Sequence, residues 1–354
     1  MISASHNPVE YNGIKIFNRD GYKLPDDIQD EIESIILDKS EPMPVVIGGE
    51  LGNVTRCRSA VRDYVEHVRK TIDSGVGGIK VAIDCANGSA SATAHKLFEK
   101  LDANCRFINC EPDGVNINRD CGSTHMQDLI NYVKKNRCQL GLAFDGDADR
   151  CLAVDEKGNL VDGDHLLAIF AKYNKDNGHL NSNTLVGTVM SNMGLSEFAR
   201  ENKIKLVATA VGDRYVLEEM LEHGYNIGGE QSGHIIFSQY ATTGDGQLTA
   251  VQLLNIMKKE RKPLSELSAL MQDYPQVLKN VKISDRTPFE EDKEIMQHIK
   301  AAEKQLGKNG RVLVRASGTE PLIRVMLEGK DENTIQRLAE QIANIIQKKR
   351  GAEI

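Results

Sequence analysis

Residues 79–109, IKVAIDCANGSASATAHKLFEKLDANCRFIN, decide the fold class of this chain. An apolar run (IKVAID) turns through a glycine-containing CANGSAS, continues as a helical ATAHKLFEKL and returns in a second strand-like run, CRFIN. Strand, crossover helix and strand form the unit that pairs its strands in parallel. The pattern extends both ways. Helix RDYVEHVRKTI precedes it, helix MQDLINYVKKN and strand LGLAFD follow, and residues 59–157 read as one α/β domain. The alternation returns over residues 158–273 through DHLLAIFAKY, TLVGTVM, LSEFAREN, KLVATAV and RYVLEEMLEHG, then ends in a glycine-rich turn. Residues 274–354 change order: strand QVLKNVKIS, helix IMQHIKAAEKQLG, strands GRVLVRAS and LIRVMLEG across a short loop, and helix ENTIQRLAEQIANIIQKK. That order predicts a smaller α+β lid. Residues 1–58 offer one loop and one amphipathic helix, LPDDIQDEIESIILD, with Ile28, Ile32, Ile35 and Ile36 at helical spacing. They are too few to bury a core alone.

A chain of 354 residues has room for two to four such domains. Hydrophobic residues at 40%, charged residues at 27% and the absence of tryptophan suit a soluble globular α/β protein and argue against disorder. The net charge of -7 argues against a nucleic-acid or anionic-membrane surface, so any anionic ligand must meet a local basic cluster. Seven scattered cysteines, without CxxC pairs, suggest neither a disulfide framework nor a structural metal site and point to the reducing cytoplasm. No stretch approaches the roughly 18 apolar residues of a membrane helix, and no secretory leader pattern opens the chain.

Four short stretches can carry chemistry. FDGDADR, residues 144–150, follows an apolar strand and alternates Asp145, Asp147 and Asp149 with small Gly146 and Ala148, so a curved loop can aim three carboxylates at one point. Hard oxygen ligands of that charge suit Mg²⁺. A solvated acidic turn is the plain alternative, and an EF-hand fails because Arg150 stands where its glycine belongs. VRASGTEPLIRV, residues 314–325, brackets Ser317, Gly318 and Thr319 with the cationic forks of Arg315 and Arg324, a fit for phosphate. GGEQSGH, residues 228–234, alternates Glu230, Ser232 and His234 on a glycine-flanked loop that suits a hydroxyl-rich ligand, although incidental polar residues on a hairpin would read alike. SASHNP, residues 3–8, holds Ser5, a poor nucleophile unless a base and a cation attend it; His6 is adjacent and Lys15 follows in NGIK. Alone, that stretch is an ordinary turn.

Taken in order, SASHNP, DGDADR, GEQSGH and RASGTEP resemble the α-D-phosphohexomutase family, and the match covers essentially the whole chain. The resemblance implies a multidomain α/β enzyme: a part of domain I with the phosphoserine loop (1–58), domain II with the metal loop (59–157), domain III with the sugar loop (158–273) and a phosphate-binding domain IV (274–354). It also implies interconversion of glucosamine 6-phosphate and glucosamine 1-phosphate through glucosamine 1,6-bisphosphate, for UDP-N-acetylglucosamine synthesis, in a cytoplasmic and possibly homodimeric enzyme. By the same resemblance Ser5 is the phosphoserine and, with Asp145, Asp147 and Asp149, a ligand of one Mg²⁺ per subunit. Lys15 with His6 or His234 would handle protons, and Arg150 would steady the transferring charge. Glu230 and Ser232 would hold sugar hydroxyls, while Arg315, Ser317, Gly318, Thr319 and Arg324 would hold the phosphate that is not reacting. Two departures stand out. The resemblance implies roughly 95 further residues before the serine loop, the greater part of an α/β domain, without which weak activity is expected. Tyr11 also stands where the family usually has an aspartate. A phosphomannomutase or phosphoglucomutase preference, a Mg²⁺-dependent phosphatase and a non-catalytic sugar-phosphate binder are the other readings.

Overall fold

The computed structural model describes residues 1–37, 45–73, 75–284, 287–317 and 321–351. Near the start of the chain, α1 (Asp26–Leu37) forms where the isoleucine spacing places it, behind an acidic first turn that complements the helix dipole. The chain then builds a sheet and its helices: α2 (Ala60–Arg69), β1 (Lys80–Asp84), α3 (Ala94–Lys100), β2 (Asn104–Ile108), α4 (Gln127–Asn136), β3 (Leu140–Phe144), β4 (Cys151–Asp155) and β5 (Leu160–Val161). The strand order is β2-β1-β3-β4-β5.

β1 pairs in parallel with both β2 and β3, as the crossover helices require. β1 and β3 are buried almost throughout, which is why both read as continuous apolar runs. The expectation of a parallel sheet fails after Phe144. β3 and β4 are antiparallel, with Phe144 opposite Cys151, so FDGDADR is the loop of a hairpin. A connection that short cannot hold a crossover helix, and the strand must turn back on itself.

The second sheet follows from α5 (Gly163–Asp176), β6 (Thr184–Thr188), α6 (Met193–Glu201), β7 (Lys205–Thr209), α7 (Asp213–His223), β8 (Ile227–Gly229), β9 (Ile235–Phe237), α8 (Gly246–Glu260) and α9 (Leu264–Ser268). Its order is β7-β6-β8-β9, parallel except for the β8–β9 hairpin. The glycine-rich turn of the sequence is therefore two short strands with GEQSGH between them. α8 has no counterpart in the sequence reading. All its residues from Gly246 to Met257 except Gln252 are buried, so it carries no apolar stripe against a polar face.

The last elements are β10 (Gln276–Lys282), α10 (Lys293–Leu306), β11 (Gly310–Ala316), β12 (Leu322–Gly329) and α11 (Glu332–Arg350). They match the predicted order of strand, helix, strand, strand and helix. The sheet is antiparallel in the order β10-β12-β11. Ile335, Leu338, Ile342 and Ile346 of α11 and Ile295, Ile299 and Leu306 of α10 pack on Ile323, Val325 and Leu327 of β12. Asp292 and Asp331 cap the two helices by accepting backbone N–H groups. The chain divides into two compact units, Met1–Ser191 with Ala199–Leu270, and Asn192–Phe198 with Met271–Ile354. No described helix is long and apolar enough to cross a membrane.

Candidate active site

The β3–β4 loop does what its alternation promises. Asp145, Asp147 and Asp149 each offer a carboxylate oxygen, and the three oxygens lie within 4.8 Å of one another. Asp147 Oδ1 and Asp149 Oδ1 are buried without a hydrogen-bond partner. Burial, together with the neighbouring Asp149 and Asp147, pushes the Asp145 carboxyl up to about 7. Burial also acts to raise Asp149, but His234, Lys15 and Arg150 outweigh it and hold that carboxyl well below the usual range. Hard oxygen donors, two of them orphaned, around one small space fit a divalent cation of the Mg²⁺ type.

The serine loop closes over this point. Ser3 N–H donates to Gly13 C=O at 2.9 Å and Lys15 N–H to Met1 C=O at 2.8 Å, so the first fifteen residues fold back on themselves. Ser5 Oγ donates to Asp145 Oδ2 at 3.0 Å across 140 positions of sequence. Ser5 sits in the left-handed region (φ 54°), which is costly for serine and has to be imposed by its surroundings. Four hydrogen bonds impose it. Ser5 N–H donates to Ser3 Oγ at 2.9 Å, Ser3 Oγ donates to Asp147 Oδ2 at 2.9 Å, and Asn118 Nδ2 donates to the carbonyls of both Ser5 and Asn7 at 2.9 Å. The approach needs glycine at 146, where a Cβ would lie 2.6 Å from Ser5 O and 2.7 Å from Asn118 Nδ2.

Cations line the same space. Lys15 Nζ is 2.6 Å from Asp147 Oδ2 and 3.5 Å from Asp149 Oδ2. Burial works against its charge, but these carboxylates prevail and raise its pKa. Arg150 Nε stands 4.0 Å from Asp145 and from Asp149. His6 Nδ1 is 3.5 Å from Ser5 Oγ and 3.1 Å from Arg150 Nη1. Burial and then Arg150 lower its pKa, which favours the neutral ring.

The GEQSGH turn is stitched onto the β3–β4 hairpin. Cys151 N–H donates to Gly233 C=O at 3.0 Å and Gly246 N–H to Ala148 C=O at 2.9 Å, while Arg150 and His234 form an isolated antiparallel pair. Gly233 is required twice over, by its φ of +93° and by Cys151 O, 2.5 Å from where a Cβ would be. Glu230 Oε1 accepts Gly212 N–H at 3.0 Å, and Ser232 Oγ donates to Glu230 Oε2 at 3.4 Å. His234 does not face the surface with them: it is 3% exposed, with Nδ1 3.6 Å from Asp149 and Nε2 3.6 Å from Asp213. Gly244 N–H donates to Nε2 at 3.0 Å, which leaves Nδ1 as the protonated nitrogen, facing Asp149.

The second unit holds the arginine pair. Arg315 and Arg324 stand directly opposite each other in the β11–β12 ladder, and Ser317 N–H donates to Leu322 C=O at 2.9 Å. Like charges so placed repel, which favours an anion between them. Gly318 and Thr319 lie outside the described residues. Sequence reasoning missed Ser3 and Asn118. Ser3 was hidden by its neighbour's better credentials, and Asn118 lies in a loop with no pattern of its own.

Four family descriptions match in chain order: phosphoglucomutase/phosphomannomutase alpha/beta/alpha domain I over residues 1–43, domain II over 62–158, domain III over 162–274 and the C-terminal domain over 278–345. Phosphoglucosamine mutases of Clostridium tetani and Clostridium acetobutylicum are each 54% identical over 351 residues, covering 99% of this chain and 78% of theirs. Among solved structures, a phosphoglucomutase/phosphomannomutase family protein of Burkholderia thailandensis superposes with a TM-score of 0.78 at 23% identity, over 98% of this chain and 75% of that one. Aspergillus fumigatus N-acetylphosphoglucosamine mutase, solved in complex with GlcNAc-6P and magnesium, gives 0.65 at 21% identity, over 81% and 68%. The chain belongs to the phosphoglucosamine mutase family of phosphohexomutases and is an isomerase with that family's multidomain α/β fold.

Proposed function

We propose that this chain interconverts glucosamine 6-phosphate and glucosamine 1-phosphate, with Ser5 as the phosphoryl carrier and glucosamine 1,6-bisphosphate as the intermediate that turns over between two transfers. The observation that carries the reading is Ser5 Oγ, 3.0 Å from a buried carboxylate whose two neighbours hold orphaned oxygens. Those carboxylates and the serine oxygen would hold one Mg²⁺ per subunit. The ion's chemistry there is to neutralise charge on the phosphoryl group.

The surrounding residues divide the remaining work. Phosphoserine gives its phosphoryl group to the free hydroxyl of the sugar phosphate; the second transfer, from the other end of the bisphosphate, restores it. His6, kept neutral, takes the hydroxyl proton and returns it in reverse. Arg150 spreads its charge over the transferring oxygens, and Lys15 fixes Asp147 and Asp149. Glu230 and Ser232 bind sugar hydroxyls, and Arg315, Ser317, Gly318, Thr319 and Arg324 bind the resting phosphate. The boundaries 1–58, 59–157, 158–273 and 274–354 assign one of these tasks to each domain. Seven free thiols support a cytoplasmic setting, and a homodimer rests on the resemblance alone.

A substrate panel tests the sugar. Turnover measured as kcat/KM on the 6-phosphates of glucosamine, glucose and mannose should favour glucosamine by about tenfold or more. Faster turnover of glucose or mannose phosphate would replace the sugar assignment. Release of inorganic phosphate without isomerisation would replace the reaction.

A further inference from the structure

We propose that Asp162 is a positioning residue for the sugar loop, acting through Gln231 to fix how Glu230 and Ser232 are presented. The inference rests on the reading that those two residues bind sugar hydroxyls, a reading in which neither Asp162 nor Gln231 has a part. Within GEQSGH, Glu230 and Ser232 turn toward each other, with Ser232 Oγ donating to Glu230 Oε2 at 3.4 Å. The side chain between them goes elsewhere. Gln231 Nε2 donates to Asp162 Oδ2 at 3.1 Å, across 69 positions of sequence.

The two oxygens of Asp162 have separate partners. Oδ1 caps α5 by accepting His165 N–H at 3.1 Å, and it also accepts from His165 Nδ1 at 2.8 Å. A cap needs only one acceptor oxygen, so Oδ2 is free of the helix and serves Gln231. Asp162 follows directly on β5, which pairs with β4, so its backbone is anchored to the first sheet. The start of α5 also presses on the loop itself. Gly163 N–H donates to Gln231 C=O at 3.0 Å, and a Cβ on Gly163 would lie 2.0 Å from Glu230 O and 2.8 Å from Gly233 N. Asp162 and Gly163 therefore hold Gln231 by both its side chain and its backbone.

The loop's own backbone bonds, Glu230 N–H to His234 C=O and Gly233 N–H to Glu230 C=O, both at 3.0 Å, close its ends. They do not set the direction of the side chains between. Gly212 N–H steadies Glu230 from one side, and the hydrogen bond from Gln231 to the Asp162 carboxylate steadies the tip from the other. Sugar hydroxyls lie away from the transferring phosphoryl group, so a loosened tip weakens binding of substrate and transition state alike. The loss belongs in affinity and not in kcat.

Titration calorimetry of the full chain with glucosamine 6-phosphate, read beside kcat, separates positioning from capping. Asp162→Ser keeps a capping oxygen but is too short to reach Gln231; Kd should rise about tenfold, with kcat within about twofold and a melting temperature within a few degrees of wild type. Asp162→Asn, whose amide can donate to a turned-over Gln231, should bring Kd back to within about threefold of wild type. Gln231→Leu leaves the cap untouched and should match Asp162→Ser, and the double variant should be no worse than either alone. Gln231→Leu carries the test if Asp162→Ser fails to fold. An unchanged Kd in Gln231→Leu or in folded Asp162→Ser, or losses that add in the double variant, overturns the proposal. Glu230→Ala tests the parent reading separately: an unchanged Kd there removes the sugar-loop assignment and this proposal with it, whereas a raised Kd there beside wild-type binding in Asp162→Ser removes this proposal alone.

Discussion

The two compact units are specified at different ranges of sequence. In the second, the elements that make the core are neighbours in the chain, and α11 buries Ile335, Leu338, Ile342 and Ile346 at helical spacing. In the first, the site exists only through distant contacts: Ser5 on Asp145, Lys15 on Asp147 and Asn118 on Ser5 span 140, 132 and 113 positions. A local pattern therefore dictates how the second unit packs. The site of the first unit depends instead on close approaches that no local pattern encodes, and it should be disabled by changes that leave folding almost untouched.

Three substitutions probe that contrast, taken from the largest effect to the smallest. Asp147→Asn removes a charge from the triad and from Lys15. Mutase activity should fall about a thousandfold, as it should on chelation, with a melting temperature that is not lowered. A variant that loses activity only because it unfolds would erase the distinction. Ile342→Ala empties a fully packed place between α11 and the β12 sheet. Denaturant unfolding should show a loss of about 3 kcal/mol, within the usual range for such truncations. Loss of activity in the native variant would show that the second unit's core does more than pack. Gly146→Ala is the subtlest test, since its Cβ would press on Ser5 O and Asn118 Nδ2. A shift of the serine loop by an ångström or so should cost about a hundredfold in rate, and the melting temperature should move by only a few degrees. Unchanged turnover would mean that this approach is not what positions Ser5.

The same contrast decides what was legible. The α10 and α11 helices and the β10, β11 and β12 strands follow from period and length alone. α8 was missed because burial on all sides removes the polar face that marks a helix, although its length is ordinary. The antiparallel turn into β4 was missed because LGLAF reads as a parallel core strand, and only pairing reveals its second neighbour. Within the site, the aspartates announced themselves by alternating with Gly146 and Ala148. Ser3 and Asn118 could not, because each acts through a single hydrogen-bonding atom aimed at a residue far away in sequence. His234 was legible as a polar member of its loop, but its place against Asp149 and Asp213 depends on two hairpins meeting.

The central claim is that Ser5 carries the phosphoryl group, and phosphopeptide mapping tests it most directly. After incubation with glucosamine 1,6-bisphosphate and Mg²⁺, the account predicts a single phosphate on the peptide holding Ser5, lost on adding excess glucosamine 6-phosphate and never formed in Ser5→Ala. Active protein whose Ser5 stays unmodified throughout, or whose phosphate rides on another residue, would contradict it.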